Sequence, residues 1–154
     1  MSIYDRIKEA GLSLPVHTPV RAAFKPFNRH GNLLVISGQL PVRDGKAQWT
    51  GSVPEVVSVE DARSAARLCV LNVLGWAHMA TDGHLESISK VLKVGGYVVT
   101  SAGFADAPTI INAASELINQ LFGGRGEHAR IAIGVASLPM NAPVEVEATF
   151  VVED

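Results

Sequence analysis

Large apolar residues alternate with small or polar ones near the end of the chain. From Arg130 the run Ile131, Ala132, Ile133, Gly134, Val135, Ala136 reads as a strand with Ile131, Ile133 and Val135 on one face and Arg130, Ala132 and Gly134 on the other. A Leu138-Pro139 turn follows, and Val144-Glu145-Val146-Glu147-Ala148 makes a second strand-like run. Upstream the period changes. Ser58-Val59-Glu60-Asp61 opens a helix in which Ala62, Ala65, Ala66, Cys69, Val73, Ala77 and Ala80 recur every three or four residues until Asp82-Gly83 stops it. That stripe is mostly small, so the helix is expected to lie close and flat on a sheet. Asp106 caps a second helix, with Pro108 in its first turn, Ile110, Ala114, Leu117, Ile118 and Leu121 on one side, and Gly123-Gly124 past its end.

Between the helices, residues 88–100 are rich in Val, Ile and Tyr and read as the central strand, where Gly95-Gly96 marks a bulge or a close backbone approach. Earlier, residues 24–27 and 33–37 form two short strands joined through Asn28-Arg29-His30-Gly31-Asn32. Arg43-Asp44-Gly45-Lys46 is a second turn, which brings in a short strand over residues 47–50. Ser2 and Asp5 give a weak capping box for a short N-terminal helix on Ile3, Ile7 and Ala10, ending at Gly11. Residues 12–21, with Pro15 and Pro19, are an irregular connector. Two helices against one sheet make an α+β layer architecture with one sheet face left over. If Val and Phe residues of several strands occupy that face, a lone subunit shows water too much apolar surface, and oligomerisation is the simplest remedy.

A chain of 154 residues, 47% hydrophobic and 18% charged, suits one globular domain with a proper core. A formal charge of −2 and a pI near 6.2 leave no basic field, so nucleic acid would have to be held against the overall electrostatics. The single Cys69 cannot form an internal disulfide and fits a reducing, cytoplasmic setting. No apolar run reaches the roughly 18 residues of a membrane span, and Met1-Ser2-Ile3-Tyr4-Asp5-Arg6 lacks the layout of a secretory signal. A soluble, unexported protein is expected.

The five histidines (His17, His30, His78, His84, His128) stand at no zinc-ligand spacing, so no metal site is expected. Ser37 in Ile36-Ser37-Gly38 lacks the first glycine of a nucleophile elbow and reads as a hydrogen-bonding residue at a strand end. Gly123-Gly124-Arg125-Gly126 follows a helix and does not precede one, so the dipole points the wrong way for phosphate. It reads as a cap and loop, with Arg125 an outside candidate for substrate contact. Arg130, on a face otherwise stripped to alanine and glycine, has room beside it for a small acid, and its planar fork matches a carboxylate. The same pattern fits an ordinary ion pair with Glu127, Glu145 or Glu147. If the last two strands form a simple hairpin about Met140-Asn141, residue 145 faces about residue 136, which puts Arg130 and Glu145 roughly 20 Å apart. A site using both would then form where two subunits meet.

In order and spacing, Gly31-Asn32, Ser37-Gly38-Gln39-Leu40-Pro41, the capped helix from Ser58, Asn112, Ala129-Arg130, Leu138-Pro139 and Val144-Glu145-Val146-Glu147-Ala148 resemble the RidA/YjgF family. The resemblance covers about residues 22–152. It implies a chorismate-mutase-like α+β fold, a mixed sheet with two helices on one face, in a domain of residues 22–154. The short N-terminal helix and connector, residues 1–21, are an addition. It implies a homotrimer with clefts between subunits, in which reactive enamines and imines such as 2-aminoacrylate and 2-imino acids are hydrolysed to 2-keto acids and ammonia without a cofactor or metal. Arg130 would grip the substrate carboxylate and Glu145 would orient or deprotonate the attacking water. Phe24, Ser37, Gly38, Asn112 and Ala132 would line the pocket. The chain departs from the pattern at His128, where the family commonly has Pro, at Ile131 for Ser or Thr, at Ala132 for Cys, and at Phe24 for Tyr. Those lost polar groups imply a side branch with a changed substrate. They also motivate an alternative, a non-catalytic trimer that binds a small carboxylic metabolite. Ribonuclease activity, claimed for some relatives, draws little support from the net charge.

Overall fold

The computed structural model describes Met1–Asp154. In chain order the elements are α1 (Ile3–Glu9), β1 (Phe27–His30), β2 (Leu33–Gln39), β3 (Val42–Arg43), β4 (Lys46–Ala47), α2 (Val59–Ala80), β5 (Ile88–Val99), α3 (Ala107–Phe122), β6 (Ala129–Val135) and β7 (Val144–Val152). Each helix starts where its capping residue stands. Ser2 and Asp5 form a complete capping box, Ser58 accepts from the Asp61 amide, and Asp106 accepts from that of Thr109. The ends are equally local: Asp82 and Gly83 follow α2 with φ of 50° and 84°, and Gly123 closes α3 at 61°.

The main sheet runs β1-β2-β7-β5-β6, with β5 and β6 parallel and every other pair antiparallel. Helix α2 lies over β2 and β7, and α3 lies beside it over β5 and β6. Ala62, Ala65, Ala66, Cys69 and Ala77 are fully buried, as close helix-on-sheet packing requires. Phe150, Val146, Val94 and Ile36 meet them from the sheet, and Ile3 and Ile7 of α1 join the same core. Burial pushes the Cys69 thiol well above its ordinary value, which leaves it an inert hydrophobe. No helix is long and apolar enough to cross a membrane.

One expectation about the sheet is corrected and another is narrowed. Strands β6 and β7 are not a hairpin; they flank β5 on opposite sides, and the segment between them crosses over it with Met140 and Asn141 at positive φ. The order β5-α3-β6 is a crossover unit, which makes its strands parallel neighbours, and alternation within a strand carries no information about which neighbour it takes. Of the two readings of Gly95-Gly96, a bulge or a close approach, the second holds. The ladders on both sides of β5 are regular there, and the irregularities fall at Ile88–Lys90 and Val91–Lys93. Both glycines mark close approaches instead. A Cβ on Gly96 would lie 2.5–2.6 Å from the side chain of buried Ile111 on α3. Gly96→Ala is therefore expected to overpack the α3–sheet contact by about 1–3 kcal/mol and to lower Tm by about 3–10 °C in a thermal melt.

The first strand lies later than its pattern suggests, at Phe27–His30, and only Gly31 (φ 58°) and Asn32 connect it to β2. Its Asn28, Arg29 and His30 are exposed on an edge, so no buried face shaped their sequence. Likewise Val42–Arg43 and Lys46–Ala47 pair as a tiny hairpin around Asp44 and Gly45. The face of the main sheet away from the helices is left bare and apolar: Leu33 and Val35 of β2 are 44% and 47% exposed, and Ile131 and Ile133 of β6 are each 41% exposed. Its apolar surface comes from Leu, Val and Ile, while Phe150 turns into the core.

Candidate functional site

Arg130 pairs with Val94, and Ala132 with Gly96, so Arg130 and Ala132 share the helix side of β6. Helix α3 meets the arginine there. Its Nη1 donates to Asn112 Oδ1 at 2.7 Å and to Ser115 Oγ at 3.3 Å, two residues one helical turn apart. No carboxylate reaches it. The ion pairs of the chain are Arg29–Asp154, Arg63–Glu116 and Arg125–Glu86, so the expected alternative of a pair with Glu127, Glu145 or Glu147 is not realised. Nε and Nη2 make no hydrogen bond to protein, and they form the edge of the guanidinium suited to a bidentate carboxylate. Ala132 beside it is half-buried and packs against the core.

Glu145 belongs to a second group. It lies opposite Tyr97 in the ladder, on the face away from the helices, with Glu147 two residues on and opposite Gly95. Burial, and then the Glu147 carboxylate, push the Glu145 carboxyl above its ordinary value. Glu147 itself accepts from the Tyr97 hydroxyl at 2.8 Å, and that bond is the main cause of an upward shift of the phenol. Gly95 makes room for this pair, since a Cβ there would lie 2.7 Å from Glu147 Oε1 and 3.0 Å from the Tyr97 oxygen.

The β2 strand brings Ser37 and Gly38 to the same place. Ile36 pairs with Ala148 and Gln39 with Val146, so β2 carries one extra residue across Ser37 and Gly38. The Glu145 carboxylate rests in that bulge, where a Cβ on Gly38 would come within 2.9 Å of Glu145 Cδ. Ser37 Oγ donates to Lys25 O at 2.6 Å, the strand-end hydrogen bonding expected of it, and its amide bonds Pro26 O. These bonds hold the segment that follows Phe24, whose ring is 69% exposed. Because a carboxylate tip on a flexible stem can yield to one methyl group, Gly38→Ala should leave the melting temperature within about 2 °C of wild type while displacing the Glu145 carboxylate. Any activity that uses Glu145 should fall more than stability does, which paired melting and rate measurements would check.

The expected site residues thus fall into two groups. Asn112, Arg130 and Ala132 gather on the helix side at the β6 edge, whereas Ser37, Gly38 and Glu145 gather on the open face, with Phe24 adjacent in the chain. Arg130 and Glu145 project from opposite faces of one sheet, so no small molecule can touch both within one chain. Arg125 is taken up by Glu86 and by the carbonyls of Glu86 and Ile88, which makes it a structural tie and corrects its reading as a substrate contact. Cavities of about 720 and 630 Å3 lie along α2 beside the connector, well away from the Arg130 cluster; Gly38 borders the first. They carry no set of converging charges comparable to either group. No cluster of three His, Cys, Asp or Glu side chains is placed to hold a metal ion. The sequence marked neither Ser115 nor Tyr97 as a candidate; His128 entered only as a departure from the family pattern and Glu147 only as an ion-pair partner for Arg130. Ser115, three residues past Asn112, and Glu147, two past Glu145, were findable from periodicity, while Tyr97 needed the register.

A family model described as "YjgF/chorismate_mutase-like, putative endoribonuclease" matches residues 4–150. The chain is 35% identical over 143 residues to Protein TCP17 of Trypanosoma cruzi, covering 92% of this chain and 89% of that protein. It is 43% identical to Atu1372 of Agrobacterium tumefaciens, a protein of unknown function, whose crystal structure matches 98% of this chain and 93% of its own with a TM-score of 0.92. A "putative endoribonuclease" from Shewanella oneidensis is 26% identical, with 99% and 100% of the two chains covered and a TM-score of 0.93.

Proposed function

Because this chain belongs to the YjgF/chorismate-mutase-like family, we propose that it hydrolyses reactive enamines and 2-imino acids to 2-keto acids and ammonia, in clefts between the subunits of a homotrimer. The observation that carries the reading is the free Nε–Nη2 edge of Arg130, an acid-binding fork with no acid in its own chain. Glu145 lies on the opposite face, and the face bearing it is apolar enough to pack on another copy. One protomer would contribute Arg130, Asn112 and Ala132; the partner subunit's Glu145, Ser37, Gly38 and Phe24 would close the cleft.

The chemistry asks little of the protein. An enamine such as 2-aminoacrylate takes a proton on carbon to become the imine. Water then adds to the imine carbon, a carbinolamine forms, and its C–N bond breaks as nitrogen leaves with a proton. Arg130 would hold the carboxylate, so that the imine carbon faces a water near Glu145. Glu145 would take a proton from that water and return it to the departing nitrogen, roles favoured by a carboxyl whose affinity for protons is raised. Imines of this kind hydrolyse unaided, so positioning supplies most of the acceleration.

The direct test adds the protein to enzymatically generated 2-iminobutanoate and follows 2-oxobutanoate. Faster keto-acid formation supports the reading, and an unchanged rate overturns it. Saturable binding of 2-oxobutanoate without acceleration would instead favour a carboxylate-binding trimer, a reading motivated by Phe24 and Ala132, which bring no hydroxyl or thiol. RNA cleavage by nuclease-free preparations would point to the endoribonuclease description carried by the family.

A further inference from the structure

Beside Arg130 lies His128, which takes no part in the proposed chemistry, and Ser115 has so far served only as an acceptor for the arginine. His128 Nδ1 is 2.5 Å from Gly126 O, and its Nε2 is 2.8 Å from Ser115 Oγ. The same Oγ lies 3.3 Å from Arg130 Nη1. A carbonyl only accepts, so the ring proton belongs on Nδ1, and Nε2 of the neutral ring is left to accept. The Ser115 hydroxyl proton is thereby committed to His128, and its lone pairs are turned toward the guanidinium. Every link has one polarity, running from Arg130 through Ser115 and His128 to the backbone of Gly126.

We propose that His128 and Ser115 are positioning residues that lock the Arg130 guanidinium through Nη1 and so keep its Nε–Nη2 edge presented to a carboxylate. An arginine on an exposed edge strand otherwise has many rotamers, and ordering it in advance removes that cost from ligand binding. Asn112 holds Nη1 from one side, but without His128 the serine hydroxyl turns to its usual competitor in a helix, the carbonyl four residues back at Ile111. The relay is a property of this chain's own residues, with histidine at the position where the resemblance calls for proline. The proposal rests on the reading of Arg130 as an acid grip, and it specifies how that grip is held.

The test measures 2-oxobutanoate affinity by calorimetry, and Arg130 guanidinium rotation by NMR in the ligand-free protein, for wild type, four single variants and one double variant. Losing one hydrogen bond to a charged group predicts about 10-fold weaker binding for Ser115→Ala. Ser115→Thr, which keeps the hydroxyl, should stay within about twofold of wild type. His128→Asn preserves a donor near Nδ1 but cannot reach Ser115, and should weaken binding as Ser115→Ala does. His128→Gln keeps an acceptor near Nε2 and should bind better than His128→Asn. In the Ser115→Ala background, His128→Asn should add nothing, because the link is already broken. Arg130 rotation should quicken in Ser115→Ala, His128→Asn and their double variant, and stay slow in Ser115→Thr. Unchanged affinity and rotation in Ser115→Ala, or additive losses in the double variant, would overturn the relay. If wild type neither binds 2-oxobutanoate nor speeds imine hydrolysis while the rotation pattern holds, the functional reading fails and the relay stands.

Discussion

Arg130→Ala is expected to lower kcat/KM for 2-imino acids by about 100- to 10,000-fold, since two charge-assisted bonds of roughly 1.5–3 kcal/mol each are lost. The carboxylate is held in the ground state as well as the transition state, so much of the loss should appear in KM. Part should appear in kcat, because the grip also aims the imine carbon at water. Arg130→Lys keeps the charge without the planar fork and should recover only a fraction. Folding should be nearly untouched. Arg130 is exposed, and its hydrogen bonds go only to Asn112 and Ser115. A melting temperature within about 2 °C of wild type, beside a collapse in steady-state rate, is the outcome that identifies a binding group.

Glu145→Gln should have the complementary signature: kcat lower by about 100- to 10,000-fold with KM little changed, because an amide has the shape of the carboxyl but takes no proton. Its effect on stability should run the other way. A carboxyl whose pKa is raised in the folded state binds its proton more tightly there than when unfolded. Its ionisation therefore penalises the fold as pH climbs from the ordinary carboxylate range through the raised value, and the penalty persists at neutral pH. Glutamine removes both the buried charge and its repulsion with Glu147. Tm at pH 7 should rise by about 1–4 °C, and the gain should vanish in acid, where Glu145 is already protonated. The acidic limb of the wild-type pH–rate profile should likewise lie above the usual carboxylate range, since the ionised form is the base. Measuring rate and melting on one preparation separates an active-site carboxylate from a structural one.

Much of the scaffold was legible because its signals are local. Ser58 and Asp106 cap their helices as their positions suggest, and the small stripe of α2 lies flat on the sheet. Strand neighbours were not legible. Alternation sorts β7 correctly into buried and outward residues, but in β6 the apolar face, with Ile131 and Ile133, is the one turned away from the helices, and the place of β6 beside β5 is set by α3, which carries the chain back to that edge. The same limit governed the site. Arg130 stood out as a charge among Ala132 and Gly134, and the helical turn from Asn112 to Ser115 was there to be read. The contact of Glu145 with Gly38 depends on a bulge in β2 that no periodicity announces. That Arg130 and Glu145 occupy opposite faces emerged only from the pairing of both strands with β5.

Those opposite faces make the central claim, a catalytic cleft shared by adjoining protomers, open to one decisive measurement. Arg130→Ala and Glu145→Gln chains, each inactive alone, are co-expressed in equal amounts and assayed for imine hydrolysis. In a threefold ring every cleft takes its arginine from one subunit and its glutamate from the next, so random assembly leaves about one cleft in four intact. Recovery of about a quarter of wild-type activity is the predicted result. A mixed preparation that co-assembles yet stays as inactive as its parents would contradict it.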